Sequence, residues 1–196
     1  MKEYWDKRHK ENSKWYLTGT HLSRYKGIFN IPELKFGTVV EIGVGLGHAT
    51  KALCGISEKV YAVDISSVAL KRVAGKAIAI KSSKMSNIPS ACADAIICHL
   101  VAQHMLDATL DNQIREAIRI LKPDGVFYLQ FAESMQEADE RETFSDETKM
   151  QEGFMFRSLA TVAHMVMEHG GKITQEGTVN IRKHFIRWHI VHICKG

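Results

Sequence analysis

The 196-residue sequence lacks any run of about 18 apolar residues, the length that a membrane-spanning helix requires. Residues 1–15 are polar and lack the apolar core of a secretory signal. Apolar residues make up 45% of the chain and charged residues 24%, shares that are near the globular average and exclude a disordered, collagen-like or coiled-coil protein. We therefore expect a folded protein that is located in the cytoplasm and has no membrane partner.

Cysteine is also scarce, because the chain has only four and no two of them form a Cys-x-x-Cys pair. Their spacing matches no zinc site. Near the C-terminus, His184, His189 and His192 match no metal spacing that includes a third ligand. We expect reduced, mostly buried thiols and no bound metal.

A continuous basic face, the usual mark of a nucleic-acid-binding protein, is missing as well. Positive charge is concentrated in residues 1–26 and 171–196, whereas residues 132–150 are strongly acidic. The net charge is only +4. This distribution makes nucleic acid an unlikely partner, although two basic termini could still meet in space.

What the chain does contain is a regular alternation of strand and helix patterns. Five short apolar runs predict strands at 38–42, 59–63, 78–80, 95–100 and 126–131. A helix over 154–169 and two strands, 172–179 and 184–193, are predicted to follow. Such alternation predicts an α/β fold with a mostly parallel sheet covered by helices on both faces, and the closeness of the last two strands predicts an antiparallel last strand.

Glycines are concentrated where the first predicted strand meets a helix, in the run Gly43-Val44-Gly45-Leu46-Gly47. Glycine allows a sharp turn and a close approach to a ligand, and the helix N-terminus behind it offers free N–H groups. Asp64 ends the next predicted strand. An acidic side chain at that place can accept hydrogen bonds from both hydroxyls of a ribose. We therefore predict a nucleoside site at the carboxyl ends of the strands.

The spacing of this loop favours S-adenosylmethionine (SAM) over a dinucleotide. A dinucleotide site typically has the pattern Gly-x-Gly-x-x-Gly, which would place the third glycine at position 48. In this sequence the third glycine is Gly47, and position 48 is a histidine. Glu41 precedes the loop, and its carboxylate would repel a pyrophosphate but attract an ammonium or sulfonium group.

Three stretches in this order, VVEIGVGLGHATKAL, VYAVDIS and LKPDGVFYLQF, resemble the class I SAM-dependent methyltransferase family over roughly residues 36–131. The resemblance implies a three-layer Rossmann-like sandwich with a seven-stranded sheet. It also implies SAM as cofactor and S-adenosylhomocysteine (SAH) as product. The cofactor-binding residues that it implies around the loop and the second strand are Glu41, Gly43, Val44, Gly45, Gly47, Asp64 and Ile65.

The resemblance further implies that Ser83, Lys84 and Met85 lie at the adenine. Here the chain departs from the family, because Lys84 stands where the family usually has an acidic residue that binds the adenine amine. Two alternatives follow. Either Ser83 or backbone groups contact the adenine instead, or the cofactor binds more weakly.

On the acceptor side, His104 is the candidate general base, since histidine can take a proton near neutral pH. His99 is expected beside the methionine part of SAM. In the lead-in, Trp5 and Arg8 resemble residues that close over the cofactor in small-molecule methyltransferases, with Arg8 paired to the cofactor carboxylate. Trp15 and Tyr16 are further lid candidates.

The sequence thus predicts one domain over 1–196, with a helical lead-in at 1–30 that acts as a lid and an acidic insert at 132–153 that shapes the acceptor pocket. The expected function is methyl transfer from SAM to a small-molecule acceptor by in-line displacement. The alternatives are a non-catalytic SAM-binding adaptor and an NAD(P)-dependent oxidoreductase. Oligomeric state and the acceptor's identity stay open.

Overall fold

The computed structural model describes most of the chain, namely residues 2–11, 27–31, 36–135, 155–181 and 185–196. Several predicted features lie outside these ranges. They are the lid candidates Trp15 and Tyr16, most of the acidic insert, and His184.

The described residues contain a seven-stranded sheet with the order β3-β2-β1-β4-β5-β7-β6. Its strands are β1 (Phe36–Ile42), β2 (Ser57–Asp64), β3 (Ile78–Lys81), β4 (Ala93–Cys98), β5 (Leu121–Ser134), β6 (Gly171–Ile181) and β7 (Ile186–Lys195). The first five strands pair in parallel, whereas β7 runs antiparallel to both β5 and β6. The predicted mostly parallel sheet with an antiparallel last strand is confirmed.

Helices cover both faces of this sheet. They are α1 (Lys2–Lys10), α2 (His48–Leu53), α3 (Ser67–Val73), α4 (Asp107–Ile120) and α5 (Leu159–Glu168), with two 3₁₀ helices, η1 (Ser82–Asn87) and η2 (Ala102–His104). On one face, α4 and α5 pack Leu110, Ile114 and Val162 into the larger core cluster. On the other face, Leu53 of α2 packs with Phe29 against β1 and β4. The predicted three-layer α/β sandwich is therefore confirmed.

Several strand boundaries differ from the predicted ones, and two of these differences have a cause in the backbone geometry. The fourth strand was expected to reach residue 100, but β4 ends at Cys98 because Leu100 adopts a φ of 57°, which ends the extended chain. The fifth strand is predicted to begin at residue 126, but β5 begins at Leu121 and contains the turn residues 122–125, since Leu121 pairs with Ala93 and Val126 with Ala95. The turn residues are therefore an irregularity within one long strand.

Asp94 ties the amino ends of the three central strands together. From β4, its carboxylate accepts a hydrogen bond from the Thr38 N–H of β1 (2.6 Å) and one from the Lys122 ammonium of β5 (2.6 Å). Burial would raise the pKa of Asp94, but the bonds from Lys122 and Thr38 outweigh burial and hold that pKa below its usual value.

Asp94→Ala is expected to lower the free energy of unfolding by about 1 kcal/mol near neutral pH, because the Thr38 N–H and Lys122 lose their acceptor. Because the folded-state pKa of Asp94 is lowered, this contribution is present above about pH 4 and is lost as the pH falls further. Urea unfolding at several pH values measures both effects. Asp124→Ala, at an exposed position of the same turn, is the control. An effect of Asp94→Ala that grows towards acid pH would contradict the assignment.

Candidate functional site

A cavity of about 660 Å³ lies at the carboxyl ends of β1, β2 and β4. The carboxyl ends of parallel strands meet at one edge of a sheet, which is where open α/β folds bind ligands. The cavity walls come from the loops after these strands, from α1 and α4, and from Trp188 of β7. Its volume is in the range of about 300–1,000 Å³ found for small-molecule sites.

The three glycines after β1 have different tasks. Gly43 (φ 89°) and Gly47 (φ 77°) both have left-handed backbones that are closely packed, since an added Cβ would lie 2.1 Å from a Val101 methyl and 2.7 Å from a Val73 methyl, respectively. Gly45 (φ 55°) has no atom within 4 Å of an added Cβ, and it lines the cavity. Gly47 begins α2 and does not line the cavity. Only part of the run is therefore open to a ligand.

Asp64 holds this loop in place. Its Oδ2 accepts hydrogen bonds from the N–H groups of Val44 (2.8 Å) and Gly45 (3.2 Å), and its Oδ1 accepts one from the Ser66 N–H (2.7 Å). A carboxylate offers about four acceptor positions, so about one stays available to a ligand hydroxyl. Burial raises the pKa of Asp64, although the N–H groups of Ser66 and Gly45 and the nearby His9 act in the opposite direction.

Glu41 and Ile65 also line the cavity, as does Val44. Glu41 is 2% exposed, and its carboxylate accepts a short hydrogen bond from the hydroxyl of Thr50 in α2. The bond fixes the Glu41 carboxylate between β1 and α2, behind the glycine loop. A buried carboxylate in this place favours a cationic group in the cavity.

The segment predicted at the adenine is arranged differently from the expectation. Residues 82–87 form η1, in which positions three apart share a face. Ser82 lines the cavity, while Ser83 and Lys84 are exposed to solvent. Met85 is buried in the main core cluster. The three predicted residues therefore do not line the cavity, and Ser82, one position earlier, does.

Helix α1 forms one wall of the cavity through Tyr4, Trp5, Arg8 and His9. It is anchored by Asp6, whose Oδ1 accepts bonds from the Ser66 hydroxyl (2.7 Å) and the Val68 N–H (3.2 Å) at the start of α3. Hydrogen bonds from Lys2 and Ser66 hold the pKa of Asp6 well below its usual range. The structure thus brings the two predicted lead-in residues, Trp5 and Arg8, to the cavity.

Arg8 offers unused hydrogen-bonding capacity there. Its guanidinium lies 5.7 Å from the centre of the Tyr4 ring. Its Nε is buried and has no hydrogen-bond partner among the residues that the structure describes. A guanidinium with a free donor that faces a cavity suits a carboxylate ligand.

The loop after β4 places both predicted histidines at the cavity. His99 packs edge to face with Phe29 (5.8 Å between ring centres), and His104 packs in the same way with Trp5 (5.0 Å). His104 ends η2 and lines the cavity in contact with Trp5 of α1. This geometry links the candidate base directly to α1.

Arg157, which sequence reasoning missed, anchors this loop. It is 3% exposed and donates to the Asp107 carboxylate (2.7 Å), to the Ala102 carbonyl (3.1 Å) and to the Met105 carbonyl. These carbonyls flank His104. The only signal in the sequence is an arginine just after the acidic stretch, and that pattern is too common to single it out.

Gln103, Gln113 and Trp188 are other cavity residues that the sequence did not reveal. Gln113 lies on α4 and Trp188 on β7, elements far apart along the chain. In the part of the chain that the structure describes, no group of three or more His, Cys, Asp or Glu residues could hold a metal ion. No described helix is long and apolar enough to cross a membrane.

Residues 40–129 match a family model described as a methyltransferase domain. No curated protein matches the chain. This family match and the fold together confirm the predicted resemblance to class I SAM-dependent methyltransferases.

Solved structures share the whole fold at low sequence identity. One is the 1,6-didemethyltoxoflavin N1-methyltransferase of Burkholderia thailandensis with bound 1,6-didemethyltoxoflavin and SAH, which is 14% identical with a TM-score of 0.71 and covers 99% of this chain and 86% of that chain. The N-methyltransferase NodS of Bradyrhizobium japonicum with SAH is 12% identical, with a TM-score of 0.68 and coverages of 99% and 97%. The magnesium protoporphyrin IX methyltransferase of Synechocystis with bound SAH is 16% identical, with a TM-score of 0.59 and coverages of 99% and 84%.

Arg157→Ala is expected to lower the free energy of unfolding by about 2–4 kcal/mol, because two carbonyls beside His104 lose a buried charged donor. Hydrogen exchange of residues 99–106 should accelerate in parallel. Arg115→Ala is the matched control, since Arg115 is exposed on α4 and its loss should cost less than about 0.5 kcal/mol. Equal losses for the two variants would mean that Arg157 does not anchor the loop.

Proposed function

We propose that this chain is a SAM-dependent methyltransferase that acts on a small molecule. The observation that carries the proposal is the position of Asp64. Its carboxylate binds the N–H groups of the glycine loop while facing a cavity at the carboxyl ends of β1 and β2. The family match over residues 40–129 supports the same reaction. In this proposal the described elements act as a single methyltransferase domain.

The residues at the cavity fit SAM by their chemistry. Asp64 has acceptor capacity left for a ribose hydroxyl, and the Glu41 carboxylate suits the cofactor's ammonium group. The free buried Nε of Arg8 suits the cofactor's carboxylate. Ile65 and Ser82 take the adenine end in place of the predicted Ser83, Lys84 and Met85. The exposed Lys84 then has no part in cofactor binding.

When bound, SAM supplies a methyl group that its sulfonium already activates. The protein's task is therefore to align the acceptor and to exclude water. Helix α1 excludes water, since Trp5 and Arg8 cover the cavity and Asp6 fixes the helix to α3. The loop after β4, which Arg157 holds in place, aligns the acceptor.

His104 is the proposed base for an acceptor that must lose a proton. It lies in the cavity wall against Trp5, within the loop that Arg157 anchors. With an acceptor identified, His104→Gln should lower kcat by about 100-fold or more and leave SAH affinity unchanged. It should also change the pH dependence of kcat, because the variant lacks the proposed base. An unchanged profile would assign His104 a packing role only.

A small-molecule acceptor is supported by the neighbours of the same fold, which include a 1,6-didemethyltoxoflavin N1-methyltransferase and a magnesium protoporphyrin IX methyltransferase. Nucleic acid is not proposed as a partner, because the charge pattern does not favour it. The described cysteines are all free thiols, which is typical of a reducing compartment, and we propose the cytoplasm as its location.

Calorimetric titration with SAM, SAH and NADH tests the cofactor. We expect saturable binding of SAM and SAH and none of NADH. Asp64→Ala and Arg8→Gln should each weaken SAH binding by about tenfold or more, because each removes a charge-assisted hydrogen bond. Thermal unfolding of both variants separates lost binding from lost structure.

Asp124→Ala, on the exposed turn after α4, should bind SAH like the wild type. Binding of NADH alone would contradict the proposal and favour the oxidoreductase alternative. Failure to bind any of the three would also contradict it. Binding of SAH without methyl transfer to any acceptor would favour the non-catalytic adaptor.

A further inference from the structure

The cavity extends past the cofactor end towards the middle of the sheet. In the strand order, β2 and β1 lie on one side of β4, whereas β5 and β7 lie on the other. Residues that follow β4 contribute a second group of side chains to the cavity, including Gln103, Thr109 and Gln113, and β7 contributes Trp188. In the proposed reaction this part takes the methyl acceptor.

Gln113 has an unusual position for a polar residue. It is 3% exposed on the buried face of α4, where its neighbours Leu110, Ile114 and Ala117 belong to the hydrophobic core. Its Oε1 is buried and accepts no hydrogen bond from any described residue. A buried amide oxygen without a donor destabilises the fold, so an apolar residue would be the better choice for packing alone.

Gln103 of η2 is likewise a buried glutamine whose amide oxygen lacks a hydrogen-bond donor in the described part of the chain. It is 2% exposed in η2, and its Oε1 is also buried without a partner among the described residues. Its backbone is firmly held, because its carbonyl accepts the Met155 N–H at 2.8 Å and the preceding carbonyl of Ala102 accepts Arg157. Two glutamines whose amide oxygens have no partner among the described residues therefore line the same cavity.

The charges of the lining residues are separated along the cavity. Arg8, Glu41 and Asp64 come from α1, β1 and β2. None of the described lining residues that follow β4 is an Asp, Glu, Lys or Arg. A charged acceptor would be desolvated there without an opposite charge, which is costly. An uncharged molecule with N–H or O–H groups would satisfy both amide oxygens.

We propose that Gln103 and Gln113 form the acceptor subsite and that the acceptor is a neutral molecule that donates hydrogen bonds to their amide oxygens beside Trp188. This inference rests on the proposed methyltransferase function. The two glutamines are binding residues that set acceptor specificity, and they take no part in binding the cofactor.

The test uses matched probe pairs on the full chain saturated with SAH, with affinities measured by saturation-transfer NMR. One pair is catechol and 1,2-dimethoxybenzene, and the other is uracil and 1,3-dimethyluracil, so that methylation removes only the donors. The donor-bearing member of at least one pair should bind about tenfold more tightly than its methylated partner. Dopamine and 3,4-dihydroxybenzoate, which add a charge to catechol, should bind more weakly than catechol.

Three variants assign the effect to the two amides. Gln103→Leu and Gln113→Leu should each weaken binding of the preferred donor-bearing probe by about tenfold. Each should leave the affinity for its methylated partner unchanged. Gln113→Glu should make dopamine bind more tightly than catechol, because the new carboxylate attracts the ammonium group of dopamine. Gln175→Leu, on the exposed strand β6, is the matched control and should bind as the wild type does.

SAH affinity, measured by calorimetry on each variant, separates the two proposals. If the wild type does not bind SAH, the proposed function fails and the acceptor assignment fails with it. If SAH binds but the probes in each pair bind equally or not at all, only the acceptor inference is overturned. It is also overturned if both leucine variants keep the probe affinity of the wild type.

Discussion

The structure of the site depends on the hydrogen bonds that the Asp64 carboxylate accepts at the end of β2. They hold the backbone of Val44 and Gly45 against the second strand, and they hold Ser66 at the start of α3. Ser66 in turn donates a hydrogen bond from its hydroxyl to Asp6, which fixes helix α1. One buried carboxylate thus connects the glycine loop, helix α3 and, through Ser66, helix α1.

A second centre, Arg157, organises the other half of the cavity. It joins the segment after the acidic stretch to the carbonyls beside His104. The half of the cavity at the glycine loop therefore depends on a carboxylate that binds N–H donors, and the half beside His104 depends on a guanidinium that binds carbonyl acceptors. Both groups are buried, so each interaction is stronger than it would be in water.

The mostly parallel sheet with its antiparallel last strand could be predicted because its signals are local in the sequence. The same holds for the meeting of the glycine loop and Asp64 at one cavity. One signal is a strand followed by closely spaced glycines, and the other is a second strand that ends in Asp64. Each of these signals spans only a few consecutive residues. The shift from Ser83 to Ser82 could not be predicted, because it depends on how η1 turns Met85 into the core. Gln113 and Trp188 were missed because the tertiary fold brings together α4 and β7, which carry no motif.

A crystal structure of the protein soaked with SAH tests most directly whether Asp64 and the glycine loop hold the cofactor. Density is expected along the glycine loop, with the ribose against Asp64, the carboxylate near Arg8 and the adenine between Ile65 and Ser82. The part of the cavity at Gln103 and Gln113 should stay free of the cofactor. Density for SAH over those glutamines, or at a site away from Asp64, would contradict the account.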